Sequence, residues 1–266
     1  MKKRILSAII MILIFVPLLL VGGIYFGLFM TLLAVGAMYE LVKIREKKKK
    51  FPEFIKILAY FLIILSSILT YNQNVFSYTM DYRLISFIIF VFVLPILFGE
   101  KNLDYNINDA LYLVGSLLFI NTAFNLILVI RNYDLNYLIY LLLITVITDT
   151  FAFITGSYIG KTKLAKDISP NKTVEGLIGG VLMGTFVATT FYFVVINPEI
   201  SLVVLILITM FLSVVGQLGD LVFSSIKRHY GVKDFSNLIP GHGGILDRFD
   251  SLIFVILAFI IIMGVI

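Results

Sequence analysis

Charged and imidazole side chains crowd into one stretch of an otherwise apolar chain, Gly219 to Asp250, which reads GDLVFSSIKRHYGVKDFSNLIPGHGGILDRFD. It holds Asp220, Asp234, Asp247 and Asp250, the bases Lys227, Arg228, Lys233 and Arg248, and both histidines of the protein, His229 and His242. Asp247 and Asp250 stand at i and i+3, so a helix would set both carboxylates on one face. If a helix also runs through Asp220, Lys227 shares its face and Arg228 lies about 80° further round. Carboxylates grouped without any cysteine and with few histidines suit a hard divalent cation, best Mg²⁺ completed by water and substrate phosphate. Lysines and arginines beside them suit the remaining phosphate oxygens. That combination is the equipment of phosphoryl or nucleotidyl transfer, where the protein contributes positioning and charge stabilisation. The competing reading is a salt-bridged juxtamembrane loop, with Asp247 paired to Arg248 or Asp220 to Lys227. Gly241, Gly243 and Gly244 allow close backbone approach to a ligand, and serve a tight turn equally well. His242, between glycines, could bind phosphate, act as an acid or cap a turn; His229 reads as solvated.

A second polar segment, Gly156 to Gly176, is GSYIGKTKLAKDISPNKTVEG. Pro170 fits a helix start and Ser169 or Thr173 a cap, which would aim free N–H groups and the positive end of a helix dipole at an anion. A capped re-entry helix with solvated lysines is the plain alternative. Just upstream stands Asp149, inside an apolar run; an acid there costs ~3 kcal/mol on insertion scales and is a functional candidate, although it lies about two turns below the interface and could simply pair with a lysine. Asn121 and Asn125, four apart on one helix face, read as interhelical hydrogen bonding. No GxxxxGK[ST] loop occurs, so a P-loop site is unsupported.

The elements that must hold these groups are membrane helices. The 266 residues are 60% hydrophobic and 14% charged, with a mean hydropathy of +1.05, against about a quarter charged in soluble proteins. The expected fold is all-α and polytopic. Runs of about 20 apolar residues fall at 5–21, 24–42, 54–71, 84–99, 110–130, 136–155, 176–196, 202–218 and 251–266, which predicts about nine transmembrane helices. The first reads as a retained helix in preference to a cleaved signal peptide, because Gly22 and Gly23 lead straight into another apolar run. Basic residues alternate with the connections. Lys2, Lys3 and Arg4, the block KIREKKKK with Lys56, Lys101, the lysines at 161, 163, 166 and 172, and the bases of Gly219–Asp250 share one side. Arg83 and Arg131 fall on the other. The positive-inside rule then puts the N-terminus in the cytoplasm. The block KIREKKKK reads as an orientation signal that also attracts anionic lipid, and a substrate-recruiting patch is the sharper alternative. The net charge of +5 thus describes cytoplasmic flanks and gives no reason to invoke nucleic acid.

The run Ser224-Ser225-Ile226-Lys227-Arg228, then Lys233-Asp234, then Ile239-Pro240-Gly241-His242-Gly243-Gly244-Ile245-Leu246-Asp247-Arg248-Phe249-Asp250 closely resembles the hallmark motif of the phosphatidate cytidylyltransferases. Asp149, Ala152, Gly156, Gly160, Lys161, Ile168-Ser169-Pro170, Lys172-Thr173 and Glu175-Gly176 look like a second block of that family. The resemblance covers Asp149 to Ser251, so residues 1–135 read as an N-terminal multispan region and 136–266 as the membrane region carrying catalytic cytoplasmic loops. It implies a plasma (inner) membrane enzyme, with its site on the cytoplasmic side, making CDP-diacylglycerol and pyrophosphate from CTP and phosphatidic acid. It also implies these roles, with no protein nucleophile needed: Asp220, Asp247 and Asp250 for Mg²⁺, with Asp250 orienting the site or helping a second cation; Lys227 in catalysis; and Lys172, Ser169, Thr173, Arg228, Lys233, His242, Gly243, Gly244, Arg248 and Asp149 around substrate. One departure stands out. Phe223 occupies a position where the family commonly has an acid, so no metal or proton role carries over there. Two alternatives differ in their products. A CTP-dependent lipid kinase would release CDP, and a transporter of an anionic solute would turn over no nucleotide. Gly176, Gly179, Gly180 and Gly184 favour close helix packing, within the chain or in a homodimer.

Overall fold

The computed structural model describes residues 2–71, 82–98, 104–196 and 200–263. Lys101, residue 99 at the end of one expected span and residues 264–266 at the end of another lie outside the described residues. Nine α-helices occur among those described: α1 (Lys2–Val21), α2 (Gly23–Arg45), α3 (Glu53–Thr70), α4 (Tyr82–Val93), α5 (Ile107–Tyr133), α6 (Leu135–Ile159), α7 (Val174–Phe191), α8 (Leu202–His229) and α9 (Leu246–Met263). A short antiparallel hairpin, β1 (Lys163–Ala165) and β2 (Ser169–Thr173), separates α6 from α7. Each helix coincides with an expected apolar run. Six of them, α2, α3, α5, α6, α7 with its terminal π turn, and α8, are long and apolar enough to cross a membrane. Two more, Ile5–Val21 and Tyr82–Phe98, are shorter, and α9 carries Asp247, Arg248 and Asp250 in its opening residues.

The chain forms two units. The first comprises residues 1–133 and 234–246, the second 134–233 and 247–266. The loop after residue 233 groups with the N-terminal helices.

In the first unit, α2 and α5 make the broadest contact. Gly22 and Gly23 take positive φ, 66° and 57°, which lets α1 turn directly into α2. Arg131 of α5 fills the turn, donating to the Leu19 and Leu20 carbonyls at 3.0 and 2.9 Å; a Cβ on Gly22 would strike its guanidinium. Asn121 accepts a short hydrogen bond from Ser66 of α3 and one from Asn125, one turn on in its own helix, at 2.7 Å, so Asn121 binds across helices and Asn125 binds it from within α5. Part of the KIREKKKK block has a duty beyond orientation. Arg45 and Lys49 hold Asp109 at 2.9 and 2.8 Å. Asp109 is buried at the start of α5, where it exchanges hydrogen bonds with Asn106.

In the second unit, α6 and α7 pack most closely. Hypothetical Cβ atoms on Gly176 and Gly180 would lie 2.7 Å from the Ala152 carbonyl and 2.6 Å from the Thr148 carbonyl. The glycine stripe is thus used within the chain, where it lets two backbones touch. Gly180→Ala is expected to destabilise the protein by about 1–3 kcal/mol through forced separation of these helices, read as a lower thermal midpoint in detergent.

The segment around Pro170 differs from the expected helix start. Residues 169–173 are extended, Pro170 lies within β2, and the helix begins only at Val174. Proline lacks the N–H that a ladder uses, and a two-stranded hairpin has edges that tolerate this. Thr173 is the cap, accepting from Gly176 N at 3.1 Å; Ser169, paired with Ala165, is not. Glu175 accepts from Lys161 N and Thr162 N at 3.1 Å, tying the hairpin base to α7.

Candidate active site

α8 positions the first two groups. Its 28 residues span about 42 Å at 1.5 Å per residue, so the helix does not stop near Gln217 but runs on through Asp220 to His229. Asp220 and Lys227 consequently share a helix face, yet they do not pair. Asp220 takes Lys172 from β2 at 2.7 Å and a hydrogen bond from Ser224 at 3.2 Å. Lys227 takes Asp247, the second residue of α9, also at 2.7 Å. The reason is distance: i and i+7 are about 10.5 Å apart along a helix, beyond an ion pair, and Asp247 and Arg248 point about 100° apart.

The two ion pairs differ in environment. The Lys227 and Asp247 side chains are 10% and 4% exposed, whereas Lys172 and Asp220 are 23% and 27% exposed. The Lys172 ammonium also reaches the Gln217 carbonyl at 3.4 Å. Gln217 itself is buried and donates to the Leu177 carbonyl at 3.1 Å, fastening α8 to α7.

Asp149 on α6 and Asp250 on α9 complete the group. Both interact electrostatically with Asp220 and with each other, with Lys172 acting on Asp149 and Lys227 on Asp250. Ser251 links them: its hydroxyl donates to Asp149 at 3.3 Å and its N–H to Asp250 at 2.8 Å. Two carboxylates, Asp220 and Asp247, thus pair with two ammonium groups, and two more, Asp149 and Asp250, lie within electrostatic range of them. Among the described residues no three His, Asp or Glu side chains converge as a ready-made metal cage.

Other sequence candidates have local duties. Arg228 donates to the carbonyls of Ile168 and Val232 at 3.2 and 2.9 Å, clasping the hairpin turn to the end of α8. Lys233 and Arg248 are exposed. His229 is exposed, with its ring edge-on to Tyr230. Phe223 is 1% exposed and packs edge-to-face on Phe254 of α9, so position 223 here belongs to the α8–α9 core.

His242, Gly243 and Gly244 lie in the first unit. Gly241 and Gly243 have φ of 80° and 85°, closing a tight turn in which Ile239 and Gly243 pair as an isolated bridge. His242 Nδ1 meets the Ser7 hydroxyl at 2.7 Å. Gly244 has no room for a side chain because the Glu40 carboxylate stands 2.4 to 2.7 Å from where a Cβ would lie. Glu40, fully buried on α2, was not among the sequence candidates, although an acid in the apolar run 24–42 carries the same signal as Asp149.

A model described as the cytidylyltransferase family matches residues 2–266. The phosphatidate cytidylyltransferase of Staphylococcus haemolyticus is 40% identical over 257 residues, covering 96% of this chain and 96% of its own. That of Bacillus subtilis is 37% identical over 259 residues, covering 96% and 94%, and that of Staphylococcus aureus 39% identical over 259 residues, covering 96% of each.

Proposed function

This chain belongs to the cytidylyltransferase family, and on that premise we propose how it makes CDP-diacylglycerol and pyrophosphate from CTP and phosphatidate. A non-bridging oxygen of the lipid phosphate attacks the α-phosphorus of CTP. The new P–O bond forms as the bond to the β-phosphate oxygen breaks, and pyrophosphate leaves with the electron pair. No protein nucleophile is required, so the residues act by placing and neutralising phosphates.

The observation that carries this reading is the group of four carboxylates against two lysines on α6, β2, α8 and α9. An excess of two negative charges matches one divalent cation. Mg²⁺ keeps several waters and takes one or two carboxylates plus substrate phosphate, so it does not require a closed protein cage. Asp220, Asp247 and Asp250 would hold it, and Asp250 would serve a second cation if one enters. Bound there, Mg²⁺ supplies neutralisation of phosphate charge and polarisation of the α-phosphoryl group. Substrate phosphates compete with Asp220 for Lys172 and with Asp247 for Lys227, while Arg228, Lys233 and Arg248 supply further positive charge. Asp149, surface-exposed on a membrane-length helix, would face the substrate from α6. Ser169, Thr173, His242, Gly243 and Gly244 keep their substrate-binding assignment by motif resemblance.

The clustering of basic residues on one set of connections supports a cytoplasmic N-terminus and a site at the cytoplasmic face of the plasma membrane, where CTP arrives from solution and phosphatidate keeps its tails in the bilayer. Purified protein given labelled CTP, phosphatidic acid and Mg²⁺ is expected to form a CDP-lipid and pyrophosphate. Chelation with EDTA should stop the reaction and added Mg²⁺ restore it. A folded sample that makes no CDP-lipid overturns the activity, and undiminished turnover in EDTA overturns the metal assignment.

A further inference from the structure

Residues 236–246 are seated on α1 and α2 by a set of contacts that converge on one carboxylate. Glu40 Oε1 accepts from the Ser236 hydroxyl at 2.6 Å and from Ile245 N at 2.7 Å; Oε2 accepts from Leu246 N at 2.9 Å. The side chain is completely buried. One turn earlier on α2, a Cβ on Gly36 would sit 2.4 Å from Ile245 Cδ1. Gly36 and Glu40 are i and i+4, on one helix face, and Gly244 and Ile245 dock onto that face. The Ser7 hydroxyl at His242 Nδ1 is a further tie, from α1. An apolar cavity of about 260 Å³, lined by Leu6, Ile10, Met11, Leu238, Ile239 and Pro240 among others, lies beneath the same loop.

Leu246 is the first residue of α9, and its N–H is one of the helix-start donors that need a partner outside the helix. The next residue in the chain is Asp247. We infer that Glu40 is a positioning residue for cytidylyl transfer: by holding Ile245 and Leu246 it fixes where α9 begins and hence the register at which Asp247 and Asp250 emerge. The inference rests on the proposed role of these two aspartates. It also assigns the first two helices a task in the reaction beyond membrane anchoring.

Three donors on two carboxylate oxygens leave no place for an amide. In Glu40→Gln, the Nε2 group faces at least one donor, so at least one loop contact is lost whichever way the amide turns. Three full-length proteins decide the matter in detergent: wild type, Glu40→Gln and the milder Ser236→Ala, which removes one donor and leaves the acid intact. Each is assayed for kcat and KM for CTP, and for amide hydrogen exchange by mass spectrometry. Glu40→Gln is expected to lower kcat by about tenfold or more, as small misplacements of reacting groups do, with a smaller change in KM. Exchange should accelerate within residues 236–247 and stay unchanged in α6 and α7. Ser236→Ala should show the same pattern at reduced size. Unchanged exchange in that segment, or kcat within twofold of wild type in a variant whose loop has loosened, overturns the inference. If Glu40→Gln does not fold, Ser236→Ala alone decides by the same two readouts. Wild-type protein that makes no CDP-lipid would remove the reaction, while the exchange pattern would still report whether Glu40 holds the loop.

Discussion

Asp247→Asn is expected to lower kcat/KM by about 10³-fold or more, the scale at which loss of one electrostatic group in a water-poor site is felt. The side chain is nearly isosteric, but it removes a charge from the proposed metal position and leaves Lys227 without its counter-ion at 2.7 Å. Loss of activity alone would therefore be ambiguous, since breaking a buried pair can destabilise by about 3–5 kcal/mol. The double variant Lys227→Met, Asp247→Asn separates the two causes. Removing both charges of a buried pair is often neutral for stability, so its thermal midpoint should recover toward wild type relative to Asp247→Asn alone. Its activity should not recover. If turnover returns together with stability, the pair is structural and Asp247 leaves the metal site.

Lys172→Gln gives the opposite partition. Its partner is Asp220, and both side chains are about a quarter exposed; ion pairs of that kind contribute about 1 kcal/mol or less. The thermal midpoint should hardly move. Yet if Lys172 receives a substrate phosphate, kcat/KM should fall by about 10²-fold or more, with a weaker salt dependence of the KM for CTP. A variant that keeps both stability and turnover would show that Lys172 does no more than neutralise Asp220.

The positions of the apolar runs were legible because a 20-residue hydrophobic stretch has few alternatives to a helix. Among the described residues nine α-helices overlap these runs, six of them long and apolar enough to cross a membrane. The acids and lysines of the site were legible by type, since charge in an oily chain is costly and must serve something. Their partnerships were not. Spacing along a helix suggested Asp220 with Lys227, whereas the actual partner, Lys172, arrives from a hairpin on another element. Pro170 was misread because proline suits both a helix start and a strand edge, and only the pairing with β1 distinguishes them. Glu40 was overlooked because it sits three residues before the basic block that starts at Lys43, and its partners lie 196 to 206 positions away. Asp109 was hidden for a similar reason: Arg45 and Lys49 looked like solvent-facing charge until the fold brought the acid to them.

The unbroken length of α8 has a consequence for how substrates meet. Asp220 is the nineteenth residue of that helix, about 27 Å from its start, close to the ~30 Å thickness of a bilayer's hydrocarbon layer. A helix standing near the membrane normal thus measures off the depth at which a lipid phosphate already rests. In the proposed reaction, with α8 so oriented, phosphatidate would not need to be lifted from its leaflet; it would arrive by lateral diffusion with its phosphate already at the height of Asp220. Only the nucleotide has to search three dimensions.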